Sequence, residues 1–434
     1  VIKTALDVQL EGRNLDDMVG KAVFDNATLR LNSRNLSLDK LTLLSSIERR
    51  TGDSAGTQRY FDLDSDFLSS RLQGNFQPQR TIDDLTRLTR EYLLHFKGDA
   101  AGMKTYYEQK QKQAVRLAGR RATNQPLRYG IDYQIITKNS DRLLTFLGSS
   151  DYIAPSTRIE GRFTEDNTSF LTGTVKTDSL RLGKISFGPS DLDLTTSKFT
   201  YGEEVLASAI ISSKRQYFSS LLPTRNLQIE ASWDVDHIDF TSDIEQADSS
   251  GRYINRADLN GELRFKGDAI DLTFRQSKVR VLDGDWILNP ESLIRKVGND
   301  YTIRNLSLLN ENQLIQASGR ISPDSADHLD IEAQNFLLAS LNSVLNTTLG
   351  GTLNGSLAVR NLYNTPIVES ALSVKALSYQ NSLIGDIRGQ GEWDPQTQRV
   401  NVNASVNRNG ADVVTLLGTF PPIKNQSTGA KSER

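Results

Sequence analysis

The densest group of residues able to do chemistry is Trp233-Asp234-Val235-Asp236-His237-Ile238-Asp239, which sets three carboxylates around a histidine. Carboxylates beside an imidazole could hold a divalent metal or pass a proton, but only if they converge. On an extended strand Asp234 and Asp236 point one way and His237 and Asp239 the other, so no site is expected. Asp62-Leu63-Asp64-Ser65-Asp66 mimics the start of a calcium loop. Phe67 then stands where the turn glycine belongs and Gln73 where a bidentate glutamate belongs, so these carboxylates read as the wet face of a strand. Ser37-Leu38-Asp39-Lys40 has the spacing of an acylating serine and its lysine, without the partner motifs that complete such a site. His95, His237 and His328 are scattered, and cysteine is absent, which excludes disulfides and thiolate metal sites. Neither a phosphate-cradling P-loop nor a dinucleotide fingerprint is present. An enzyme is the least supported class: no catalytic or metal residue is assigned and no cofactor is expected.

Composition narrows the partners. The 434 residues carry a net charge of -2 with basic residues dispersed, which gives no electrostatic footprint for nucleic acid. Only 37% are hydrophobic and the mean hydropathy is -0.44, lean for a core buried on two sides but suited to a sheet with one dry face. No stretch approaches the run of about 18 apolar residues that a spanning helix needs. The chain opens on Val1 and closes on a polar tail from Lys424 to Arg434, and it reads as a piece of a longer protein whose membrane anchor lies outside it.

The elements that must position any site are strands. Leu6, Val8 and Leu10 alternate with Asp7, Gln9 and Glu11; Phe61, Leu63 and Phe67 alternate with acidic residues. A two-residue period means one dry and one wet face. Glycine recurs between apolar flanks, as in Ile159-Glu160-Gly161-Arg162-Phe163, Leu259-Asn260-Gly261-Glu262-Leu263 and Leu353-Asn354-Gly355-Ser356-Leu357. Such a glycine shares the face of its flanking apolar residues and predicts a notch there. Turn signals such as Asp283-Gly284 and Asn409-Gly410 separate roughly 25 strands. Helical spacing is confined to a few places. Ile82, Leu85, Leu88, Tyr92 and Phe96 predict a helix from Thr81 as N-cap to a stop at Gly98, resuming near Tyr106 to Leu117. Short helices are expected at 140–147 and 335–345, with a weaker one at 215–222. The expected organisation is a β segment over 1–78, a helical insertion over 79–125 and a long β segment over 126–434. So few amphipathic helices cannot cover so many strands, and a lone sheet must cover its dry face. Curling the sheet on itself is the remaining solution, with glycine giving room to bend. Stacked at about 4.8 Å each, roughly 25 strands would span about 120 Å.

Several phrases carry a resemblance. Gly350-Gly351-Thr352-Leu353-Asn354-Gly355-Ser356-Leu357, then Pro366-Ile367-Val368, Ala371-Leu372-Ser373-Val374, Tyr379 and Ile384-Gly385-Asp386 resemble the repeating phrases of the TamB family within the wider AsmA-like group. So does Leu10-Glu11-Gly12-Arg13-Asn14-Leu15-Asp16-Asp17-Met18-Val19-Gly20, followed by Ser65-Asp66-Phe67-Leu68. The likeness runs from about residue 1 to 422, and the chain looks especially like the long TamB-like proteins of Bacteroidota. It implies a β-taco, an elongated antiparallel sheet folded into a U around an apolar groove. It also implies a periplasmic location, an inner-membrane anchor, and an outer-membrane Omp85-type barrel engaged by a C-terminal region outside this chain. The dry faces of the clearest strands then supply the groove lining: Leu227, Ile229, Ala231, Trp233 and Val235, with Leu259, Leu263, Phe265, Leu272, Phe274, Leu353, Leu357, Val359, Val400 and Val402. Three readings of such a groove stand: a conduit for phospholipid toward the outer membrane, a factor assembling outer-membrane or secreted β proteins by strand addition, and a structural or adhesive rod.

Overall fold

A computed structural model describes residues 2–31, 33–50, 56–118, 128–218, 223–247, 253–345 and 347–421. The fold is mainly β. Among the described residues 28 strands belong to one antiparallel sheet and the helical insertions are few. The chain forms two compact units, Val1–Asp258 with Glu262–Asp268, and Leu259–Gly261 with Ala269–Arg434. Among the described residues no helix is long and apolar enough to cross a membrane.

The first unit contains β1 (Ile2–Glu11), β2 (Val19–Leu31), β3 (Arg34–Arg50), β4 (Gly56–Ser65), β5 (Leu68–Gly74), α1 (Pro78–Lys97), α2 (Ala100–Ala118), β6 (Tyr129–Thr137), α3 (Asp141–Leu147) and β7 (Tyr152–Ile153). It continues through β8 (Arg158–Glu165), β9 (Thr168–Thr177), β10 (Leu180–Leu182), β11 (Ile185–Phe187), β12 (Ser190–Phe199), β13 (Leu206–Phe218), β14 (Thr224–Asp234), β15 (His237–Ala247) and most of β16 (Tyr253–Lys266). Strands β1 to β6 pair in sequence order. The ladder then passes through β8, β9, β12, β13, β14 and β15, while β7, β10 and β11 form a side branch that rejoins β13.

Directly opposed residues on antiparallel strands share a face. The registers therefore line up a row across the unit: Val8, Ala22, Leu43 and Leu63, then Ser70, Ile135, Ile159 and Val175, then Leu192, Ile211 and Ile229. A parallel row beside it holds Phe61, Leu72, Tyr133, Gly161, Gly173, Leu194, Ala209, Ala231 and Phe240. A third holds Ile131, Phe163, Leu171, Thr196, Ala207 and Trp233. The dry face expected from alternation is thus continuous from strand to strand within this unit.

The second unit contains β17 (Ala269–Phe274), β18 (Ser277–Val281), β19 (Gly284–Leu288), β20 (Leu293–Val297), β21 (Asp300–Asn310), β22 (Gln313–Ile321) and β23 (His328–Leu337). A short 3-10 helix (Leu338–Leu341) and α4 (Asn342–Leu345) follow, then β24 (Leu349–Arg360), β25 (Ile367–Tyr379), β26 (Ser382–Asp394), β27 (Arg399–Arg408) and β28 (Ala411–Phe420). From β21 to β28 pairing follows sequence order, and apolar rows again cross the strands. Leu272, Ile294, Ile303, Gly319, Leu329, Val359, Val368, Trp393, Val400 and Phe420 share one row. Leu306, Ala317, Ile331, Leu357, Ser370, Gly391, Val402 and Gly418 share the next.

The helices depart from expectation in detail. α1 begins at Pro78 with Gln77 as N-cap, because proline suits the first helical turn, and the Thr81 hydroxyl donates to the Gln77 carbonyl at 2.9 Å instead of capping. Gly98, at φ 65°, stops the helix as expected. The helix expected at 335–345 is shorter. Asn335, Phe336 and Leu337 end β23, since Asn335 takes a left-handed φ of 52° that no helix interior allows and Phe336 and Leu337 pair with Leu353 and Thr352. The helix expected at 215–222 is replaced over Arg215–Phe218 by the end of β13, whose backbone pairs with β11 and β14. Residues 219–222 lie outside the described residues.

Candidate functional site

The candidate site is the row-lined apolar face and what borders it. Of the residues expected to line a groove, Leu227 is buried and Ile229, Ala231 and Trp233 are half-buried along one face of β14. Val235 is not on that face. Asp234 and His237 pair directly, which leaves Val235 and Asp236 as a two-residue turn. Val235 takes a φ of 54°, donates its N–H to the Val205 carbonyl at 3.0 Å and is 40% exposed. Leu263 and Phe265 are half-buried in the first unit, and the Phe265 ring lies 5.5 Å from that of Trp233. In the second unit Leu259, Leu272, Phe274, Leu353, Leu357, Val359, Val400 and Val402 are all half-buried. Leu272, Val359 and Val400 share one row, and Leu357 and Val402 the neighbouring one. Outside the buried stretch of Ile131, Phe163 and Thr196 beneath α1, most row residues are half-buried, which marks a surface that the fold gathers without sealing.

The glycine notches are not all empty. The Tyr133 hydroxyl donates to the Thr172 carbonyl at 2.7 Å, which carries its ring across Gly161 and Gly173. A Cβ at Gly161 would meet that hydroxyl at 2.6 Å and would overlap the Thr172 carbonyl. Glycine here admits an aromatic side chain from the neighbouring strand, so the space expected at Gly161 is filled.

The same turn that displaces Val235 overturns part of the expectation for the acidic segment. His237 meets Asp236 at 3.0 Å and Asp239 at 3.7 Å, while Arg264 reaches Asp236 at 3.0 Å. The hydrogen bond from His237, with the Arg264 charge, holds the Asp236 carboxyl below its usual range. The groups converge as an ion cluster at a hairpin end. Among the described residues no group of three or more His, Asp or Glu is placed to hold a metal. Asp62 pairs with Arg71 at 2.9 Å and Asp64 with Lys138 at 2.5 Å, as wet-face carboxylates should.

Helices border the face. α1 sets Leu85, Leu88 and Tyr92 on Phe76, Ile131 and Phe163, and its far end brings Tyr92 and Phe96 to Trp233 at ring distances of 5.7 and 6.2 Å. It therefore crosses the row from Ile131 to Trp233. At about 1.5 Å per residue it has the length for this, since strands are spaced about 4.8 Å apart. Beyond that contact α1 exposes Ile82, Leu93 and Phe96, and Leu85, Thr89 and Leu93 line a cleft of about 600 Å³ along the helix. α3 packs Leu143 and Phe146 against Ala27, Leu36, Leu38 and Phe67. In the second unit Leu338 and Leu341 close over Trp286 and Phe336.

Under α1 lies a charged cluster that was not among the residues expected to form a site. Glu91 is fully buried, with Lys110 at 2.5 Å, Lys198 at 3.4 Å and the Tyr106 hydroxyl at 2.9 Å. Lys198, itself 1% exposed, donates to the Gly202 carbonyl at 2.6 Å and faces the Tyr107 ring at 5.2 Å. Arg87 bridges Asp84 at 3.2 Å and buried Glu165 at 2.9 Å. Burial pushes the Lys198 and Lys110 ammonium groups down and the Tyr106 hydroxyl up to about 12; Glu91 opposes the shift in both lysines. The signal was present in the sequence: Lys198 continues the dry-face parity of Leu192, Leu194 and Thr196, and Glu91 falls three residues after Leu88.

No protein-family model, curated protein or solved structure matches this chain.

Proposed function

We propose that the chain is a periplasmic segment of an intermembrane bridge whose apolar face, curled into a groove, shields phospholipid tails on their way toward the outer membrane. The observation that carries this reading is the set of half-buried apolar rows running across the strands in each unit. A sheet that served only as a rod would fill and seal that face. An acyl chain in water costs about 0.8 kcal/mol per CH₂, so two tails exposed in transit would cost on the order of 20 kcal/mol. Rows perpendicular to the strands offer a path along which that exposure never arises. This reading also calls for a membrane anchor and an Omp85-type barrel partner.

Native mass spectrometry of the purified protein from a Gram-negative host tests it. Co-purified phospholipid, lost on detergent exchange and regained from vesicles, is the expected result. Protein that never retains phospholipid, yet captures unfolded outer-membrane strands, would replace the conduit with strand-addition assembly.

A further inference from the structure

A wall meant to stay in place needs only apolar side chains. α1 is fastened in part by charge. Asp84, Glu91 and Glu165 balance Arg87, Lys110 and Lys198, and Glu91, Glu165 and Lys198 are almost wholly buried. Desolvating such ions offsets much of their attraction, so an apolar interface of the same shape would hold at least as well. The difference appears on separation: charges regain their hydration when the surfaces part, whereas apolar groups gain nothing. Beside the apolar contacts of Leu85, Leu88 and Tyr92, two further attachments are polar. The Asp16 carboxylate accepts from the Gln79 N–H at 2.8 Å and the Asp268 carboxylate from the Ala100 N–H at 3.2 Å, each at a helix start.

We propose that α1, with the part of α2 carrying Tyr106 and Lys110, is a lid fastened to the strands by the two ion pairs of this cluster that cross to them, Arg87–Glu165 and Glu91–Lys198, and able to lift while the strands beneath stay paired. Lifting adds the row Ile131, Phe163, Leu171 and Trp233 to the apolar rows beside it, and so widens the surface offered to a ligand. What the lid uncovers rests on the lipid-groove reading; the motion does not.

Hydrogen exchange read by mass spectrometry tests the motion in the intact protein. In the wild type, α1 amides should exchange at least tenfold faster than those of β8, β9 and β12 beneath them. Glu91→Ala, which strands Lys198 and Lys110, should speed α1 at least a further tenfold and leave those strands unchanged. Glu91→Leu combined with Lys110→Met and Lys198→Met should slow α1 at least tenfold. Common exchange of α1 and the three strands in the wild type would overturn the lid, as would a triple variant no slower than the wild type. Bound phospholipid is counted on the same samples. A lifting lid with no lipid ever bound would sink the groove reading alone; lipid bound beneath an α1 that exchanges with the sheet would sink the lid alone.

Discussion

Asn226, Asn305 and Asn335 hold left-handed φ values of 54°, 50° and 52°, and each falls where the register of its strand steps. Such a bulge adds one residue to one strand and increases its local twist. It also lets residues three apart face the same way: Ile303 opposes Gly319 and Leu306 opposes Ala317, both in dry rows, with Asn305 between them. Asparagine tolerates this backbone because its short polar side chain does, whereas a β-branched residue does not. Asn305→Val should therefore lower stability by about 1–2 kcal/mol, measured as a shift in urea midpoint at constant slope, while Asn305→Gly should unfold close to the wild type. Strict two-residue alternation places Ile303 and Leu306 on opposite faces. The dry face is legible in the sequence between bulges, and alternation alone does not carry it across them. Val235 failed for a related reason, since alternation holds no record of where a strand turns.

At the scale of elements, α1 was legible as a helix from Leu85, Leu88 and Tyr92, and its end from Gly98. Its start falls earlier than Thr81 suggests: Pro78 marks the first turn locally, but the carboxylate that takes the Gln79 N–H, Asp16, lies far away in sequence. Asp16→Ala should cost about 1 kcal/mol, the usual worth of a helix cap. The loss should appear as faster exchange confined to the first turn of α1; exchange rising throughout β2 and β3 would assign Asp16 a different task. Pairing order was only half legible. Short turns such as Asp283-Gly284 announce consecutive hairpins, but the pairing of β6 with β8, or of β9 with β12, depends on tertiary packing that periodicity does not encode.

For the whole molecule, the conduit reading predicts that a charge on a row stops traffic while one on the opposite face does not. Ile229 and Leu357 lie on apolar rows, and Glu230 and Ser356 are their exposed neighbours. Ile229→Asp or Leu357→Asp puts an unpaired carboxylate in the path, at a cost of several kcal/mol. Each 1.4 kcal/mol or so is tenfold in rate, so passage should slow by orders of magnitude. Ser356→Asp should leave passage unchanged. Outer-membrane integrity in cells, with matched protein levels, reads the difference. A photocrosslinker at Ile229 should capture phospholipid and one at Glu230 should not; equal labelling would count against the assignment of faces.

The ladder of the first unit has a mechanical consequence. Interstrand hydrogen bonds lie perpendicular to the strands, so tension applied across successive strands loads each ladder in series. The strands should then peel apart one pair at a time at low force, instead of shearing together. α1 changes this over part of the unit: its contacts reach from Ile131 on β6 to Trp233 on β14, so it splints the ladders between. Under an optical trap the region it spans should yield as one step, and the strands from β1 to β4 as a series of smaller ones.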